Sequence, residues 1–298
     1  MRRRFFTLDV FTAKPFAGNP LAVVLDAGGL DVAAMQAIAR EFNLPETVFV
    51  FPAADPKHRA RLRIFTPARE LPFAGHPTVG TAVLLARLDG GTASRELVLA
   101  EEVGPVACVV QPGNDGGRAG FDIPRQPERT GAVRDAARLA AALGLAPSDL
   151  GCDGFVPENW SAGNAFTFVP VRGLEAIGRA RPDMAHWGDA FGAGDPPGAF
   201  LFCREVLDAE NSYHARMFAP AMGIAEDPAT GSAVAAFAGV LAASGRLADG
   251  RHAFAIEQGH EMGRPSLLRL WLTMHGGRLA VATVGGDAVV VSEGTIEA

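Results

Sequence analysis

One short pattern occurs twice in this chain. His76-Pro77-Thr78-Val79-Gly80-Thr81-Ala82-Val83 and Asp227-Pro228-Ala229-Thr230-Gly231-Ser232-Ala233-Val234 share one frame: polar residue, proline, two residues, glycine, hydroxyl residue, alanine, valine. The copies start 227 − 76 = 151 residues apart in a chain of 298. Each runs into small apolar residues, Leu84-Leu85-Ala86 and Ala235-Ala236-Phe237-Ala238, as a buried helix does. This predicts two similar halves, each built on one buried helix.

Proline suits the first helical position, where its missing N–H is not needed. It also drives the preceding residue out of the helical region. His76 and Asp227 are therefore expected as caps, although Asp is a strong N-cap and His is not. A glycine in the first turn opens the backbone to a ligand, and free N–H groups with the helix dipole make an anion site. The spacing thus suggests two helix ends facing one anionic ligand across a cleft. Two ordinary helix caps would leave the same trace, and the pattern alone does not separate the two readings.

A chain of this length predicts about two domains. The polar, proline-rich stretch from Pro124 to Gly131 marks the crossing, giving domains 1–125 and 126–298, with the last strand free to return to the first. No apolar run reaches the roughly 18 residues of a membrane helix. The basic Met1 to Arg4 is followed by Phe5-Phe6-Thr7, but Asp9 breaks the apolar stretch a signal peptide needs. A soluble cytoplasmic protein with no membrane partner is expected. A net charge of −6 with no basic block argues against nucleic acid. Cys108, Cys152 and Cys203 are scattered and fit neither a disulfide framework nor a zinc site. The histidines form no HExxH, and there is no Walker-type loop or strand-linked GxGxxG.

Strands are expected at 5–11, 21–25, 46–51, 61–65, 97–100, 103–110 and 120–123 in the first half, with a helix at 31–42. The second half reads as helices at 135–143 and 174–180 and strands at 165–171, 199–205, 213–218, 252–258, 267–275, 278–284 and 288–292. The class is α+β, with each sheet wrapped around its helix.

Glu46 opens the run Pro45-Glu46-Thr47-Val48-Phe49-Val50-Phe51 as one acid amid apolar neighbours. A carboxylate there costs free energy unless it is paired or shifted in pKa. Those conditions also make a general acid or base. An exposed edge acid, or one capping the preceding turn, would look the same. With His76, Asp227 and Ser232, Glu46 completes the set of candidate catalytic residues. Three readings compete: a proton-shuttling isomerase, a Ser/His/Asp hydrolase, and a non-catalytic binder of carboxylated metabolites. The hydrolase is disfavoured because Ser232 follows Asp-Pro in a helix start and lies in no GxSxG elbow.

Several segments together resemble the phenazine-biosynthesis PhzF-like family: Phe16-Ala17-Gly18-Asn19-Pro20, Asn43-Leu44-Pro45-Glu46-Thr47, Arg63-Ile64-Phe65-Thr66-Pro67, Gly75-His76-Pro77-Thr78, Glu226 through Ala233, and Gln258-Gly259 with Gly263-Arg264-Pro265-Ser266. The resemblance covers nearly the whole chain. It implies a diaminopimelate epimerase-like fold of two pseudo-symmetric domains, with the active site between them. It further implies a homodimer and an isomerase or epimerase that needs no metal or organic cofactor. Its substrate would be a small anionic metabolite, a cyclic amino or hydroxy acid. Relatives with that fold use cysteines in the two helix-start motifs; none stands there in this chain, which speaks against a two-thiol racemase. By the same resemblance Glu46 is the acid/base, and His76, Asp227 and Ser232 hold the substrate. Gly75 and Gly231 offer backbone, and Asn19, Arg216 and Arg264 are weaker candidates for the wall. Pro45 stands where this branch often has Ser.

Overall fold

A computed structural model describes residues 1–192 and 194–298, and the chain divides into two compact units: Met1–Pro124 with Val284–Ala298, and Arg125–Thr283.

In the first unit, β1 (Arg2–Val10) pairs antiparallel with β2 (Asn19–Val24). The chain then crosses through α1 (Val32–Phe42) to β3 (Glu46–Phe51), which lies parallel to β2 with Leu21 opposite Glu46. The Asp31 carboxylate accepts from the Ala34 N–H at 2.8 Å and starts α1, and Asn43 ends it in the left-handed region. Met35 and Ala39 bury the helix face against Val24, Phe49 and Phe65. β4 (Ala60–Phe65) and the short β5 (Glu70–Leu71) lead to α2 (Gly75–Leu88). β6 (Arg95–Glu101), β7 (Gly104–Pro112) and β8 (Gly116–Asp122) close the unit as an antiparallel meander, with β6 also parallel to β4.

Residues 75–86 of α2 are all buried, and the helix packs against β1, β2, β3, β6, β7 and β8. A helix apolar on every side can sit only in such an enclosure. A Cβ at Gly80 would come within 2.7 Å of Leu21 Cδ2 and Val10 Cγ2, so this glycine is what lets α2 lie so close to β1 and β2.

The second unit holds β9 (Glu128–Arg129), α3 (Ala136–Ala142), β10 (Glu158–Ser161), β11 (Ala165–Pro170), α4 (Leu174–Arg179), α5 (Met184–Ala190), β12 (Ala199–Cys203), β13 (Tyr213–Ala219), β14 (Ile224–Asp227), α6 (Gly231–Ala243), β15 (Gly250–Gln258) and β16 (Ser266–His275). β9 to β13 are neighbours in order, with β11 and β12 parallel; β13 also pairs with β14 and runs parallel to β15. Helix α6 is buried from Ala233 to Leu241 and packs on β9, β10, β11 and β16. Leu139, Ile177 and Trp187, from α3, α4 and α5, form a separate core with Val169 and Leu201 on β11 and β12.

The last strand, β17 (Arg278–Glu297), runs through the unit boundary, and its C-terminal part pairs antiparallel with β1. The sequence suggested two strands here. One continuous strand forms because Gly285 is no turn residue: a Cβ there would meet the Ala119 carbonyl of β8 at 2.4 Å. The short β9, β10, β14 and α5 escaped the sequence reading.

The expected caps are corrected by the structure. Helix α2 begins at Gly75 with Ala74 as N-cap, so His76 lies inside the first turn. Helix α6 begins at Gly231 with Thr230 as N-cap, and Asp227 ends β14. The shared frame therefore starts its helix at different points. Gly80 is the sixth residue of α2, whereas Gly231 is the first of α6. Side-chain bonds to the segment before α6 account for the difference.

Candidate active site residues

In the first unit, parallel pairing puts the starts of β2 and β3 at one end of the sheet, beside the first turn of α2. Asn19 there is 1% exposed, and Glu46 is the first residue of β3. Glu46 Oε2 lies 3.2 Å from His76 Nε2, with the side chains only 16% and 7% exposed. Two effects oppose each other at His76. Burial drives its pKa down to about 3, and donation of a ring N–H to the Pro20 carbonyl only partly offsets this. Burial wins, so the contact joins a neutral imidazole to a carboxyl group and is no imidazolium–carboxylate pair. The N–H groups of Gly75 and His76 have no acceptor within the helix, as at any helix start.

In the second unit, the Asp227 carboxylate accepts from Thr230 Oγ1 at 2.6 Å. Gln258 completes a clamp on the same segment. Its Nε2 donates to the Asp227 carbonyl at 2.7 Å and its Oε1 accepts from the Thr230 N–H at 3.2 Å. These bonds hold residues 227–230 out of the helix and start α6 late. Gly259, next to the clamp, has a positive φ of 77°, and a Cβ there would meet the Pro228 carbonyl at 2.6 Å. The N–H groups of Ala233 and Val234 bond to the Thr230 carbonyl. Those of Gly231 and Ser232 precede them in the turn and find no intrahelical acceptor.

Arg216 is buried and donates to both Glu226 oxygens at 2.7 and 2.8 Å, and to the Ile177 and Ala180 carbonyls at the end of α4. It ties α4 to β14. Arg264 belongs to the turn after β15, where its N–H bonds to the Gly259 carbonyl.

The sequence reading missed Gln258 as a clamp and missed His214. The His214 ring is 1% exposed, with Nδ1 3.1 Å from Glu257 and Nε2 3.0 Å from Glu261. Burial lowers its pKa, but the bonds and charges of Glu261 and Glu257 outweigh burial and the net shift is upward. This histidine is thus committed to two carboxylates, and no histidine is bonded to Ser232 among the described residues. That removes the support a hydrolase reading needs. The three cysteines are free, with Cys108 and Cys203 buried, and no group of residues with metal-ligand character occurs among the described residues. Among the same residues no helix is long and apolar enough to cross a membrane.

An α+β chain whose sheets enclose a buried helix, and which brings a shielded carboxyl to a neutral histidine at one helix start, has the diaminopimelate epimerase-like fold. The chain belongs to the family described as phenazine biosynthesis-like protein, whose model matches residues 8–294. It is 48% identical to an uncharacterized isomerase of Mesorhizobium japonicum, covering 99% of this chain and 98% of that one. It is 35% identical to the trans-2,3-dihydro-3-hydroxyanthranilate isomerase of Pseudomonas fluorescens, covering 98% of each. The crystal structure of a PhzF-family phenazine biosynthesis protein from Bacillus anthracis matches with a TM-score of 0.89 over the whole of both chains, at 27% identity.

Proposed function

We propose that this chain is an isomerase that moves a proton on a small carboxylate-bearing metabolite, with Glu46 as the acid/base. The observation that carries this is Glu46 Oε2 at 3.2 Å from His76 Nε2, both shielded, beside a helix start with open N–H groups. A carboxylate in such a place takes a proton from one substrate carbon as the double bond shifts. It returns the same proton to another carbon, and the atoms balance without a further reactant. Neutral His76 holds a polar substrate group without competing for the proton. The N–H groups of Gly75, Gly231 and Ser232 suit a substrate carboxylate, and Asp227 suits an amino or hydroxyl group. Asn19 lies at the same sheet end as Glu46, and Arg216 acts from behind by fixing Glu226 next to Asp227. The substrate is one small anionic metabolite, and the active protein is a homodimer in the cytoplasm.

The cyclic amino acid named for the Pseudomonas relative is the first compound to assay. Purified protein is incubated with trans-2,3-dihydro-3-hydroxyanthranilate and a panel of unsaturated and α-amino carboxylates, and products are followed by NMR. Interconversion of any one of them supports the reading. A binder without chemistry would retain carboxylates and convert none.

A further inference from the structure

Glu101, in β6, has no part in the chemistry above. Strand alternation puts Leu97, Leu99 and Glu101 on the same inward face, and Glu101 is only 8% exposed. Its Oε1 lies 2.8 Å from Thr78 Oγ1 in the first turn of α2, and that hydroxyl lies 2.8 Å from the Ala74 carbonyl. A hydroxyl has one proton, and a carbonyl can only accept. The Thr78 hydroxyl can donate its proton to the Glu101 carboxyl or to the Ala74 carbonyl but not to both, so it gives the carboxyl at most one shared hydrogen bond. Its Oε2 is buried with no hydrogen-bond partner among the described residues, a setting that penalises a carboxylate far more than an acid.

Among the described residues, no compensating cation acts on Glu101. On β7, burial, with Glu101 adding to it, pushes the Cys108 thiol up to about 12, so it is neutral. His76 on α2 is neutral. Arg63 on β4 and Glu70 on β5 are bonded to each other, and Glu102 faces solvent. The hairpin turn is tied to the segment before α2 by the Val103 N–H and the Pro72 carbonyl.

We propose that Glu101 is a positioning residue for the carboxylate site: a proton-bearing acid against the first turn of α2, whose ionisation weakens the hold of that helix start on an anion. This rests on the reading of the α2 start as part of the substrate site. Burial raises the Glu101 pKa to about 8, against the opposing bond from Thr78, so ionisation falls in an accessible range. Its charge would then sit in the first turn, where the dipole and the Gly75 and His76 N–H groups draw a substrate carboxylate. The two negative charges compete for one field.

The test titrates 3-hydroxyanthranilate, the aromatic counterpart of the Pseudomonas relative's named substrate, into wild type, Glu101→Gln and Thr78→Val from about pH 6 to 10. Wild-type affinity should fall about tenfold across a midpoint near 8, Glu101→Gln should stay flat, and Thr78→Val should move the midpoint upward. Infrared difference spectra of wild type against Glu101→Gln should show a carboxylic-acid band at neutral pH that fades over the same range. Parallel pH profiles in wild type and Glu101→Gln, or no acid band, overturn the proposal. If no variant binds the probe at any pH while the acid band is present, the substrate-site reading fails, and the coupling falls with it.

Discussion

Phe237 of α6 stacks on Phe168 of β11, with ring centroids 5.7 Å apart and planes 19° from parallel. Phe202 and Tyr213 close on the same ring edge-on, at 4.8 and 5.1 Å. One aromatic residue therefore sets how α6 lies on its sheet, and so where Gly231 and Ser232 are placed. Phe237→Ala should cost about 3–5 kcal/mol of stability, the usual result of emptying a large buried ring. Denaturant unfolding measures this, and a loss under about 1 kcal/mol would show that the cluster is not what fixes α6.

The Gln258 clamp predicts a local effect. Gln258→Ala leaves the Thr230 N–H and the Asp227 carbonyl without their partner. A buried group stripped of its bond costs about 1–3 kcal/mol, and Asp227 and Ser232 lose their fixed geometry. Binding of 3-hydroxyanthranilate should weaken more than fivefold, and Ser232→Ala should weaken it without loss of stability. Unchanged affinity in Ser232→Ala, measured by calorimetric titration, would remove that residue from the site.

His76 makes stability depend on pH on the acid side. Its folded pKa is about 3 against an ordinary 6.5, so between those values the unfolded chain binds more protons. The stability tied to its neutral form is complete above pH 6.5 and falls as pH drops toward 3, by roughly 1.4 kcal/mol per unit at most. His76→Asn removes this component. The unfolding midpoint of the wild type should therefore drop more steeply from pH 7 to 4 than that of the variant; equal slopes would show that His76 is not held neutral by burial.

A shielded carboxyl that carries one proton across also predicts an isotope result. In heavy water, product should take up solvent deuterium slowly or in part, because Glu46 is only 16% exposed beside His76. Rapid and full wash-in, seen by mass spectrometry, would mean a base open to solvent.

Much of this was legible in the residues. The twin pattern announced two buried helices because Ala, Gly and Leu surround both α2 and α6 on every side. Glu46 stood out as a lone acid opening an apolar strand. The helix starts were misread because local rules place a proline at the first helical position, whereas Gln258, far along the chain, holds Pro228 outside α6. Such tertiary bonds leave no local trace. β9, with two residues, and β10 and β14, with four each, are too short to show a period. Glu101 was within reach: it continues the inward alternation of Leu97 and Leu99, but the stretch was read only as a hairpin.

The central claim is that Glu46 moves the proton, and one comparison tests it most directly: turnover and ligand affinity of Glu46→Gln, measured side by side on folded protein. The amide keeps the shape and the neighbour His76 but cannot take a proton. The account predicts turnover reduced by about 10²–10⁴, with 3-hydroxyanthranilate bound within a few fold of wild type. Turnover near the wild-type rate in that variant would contradict it.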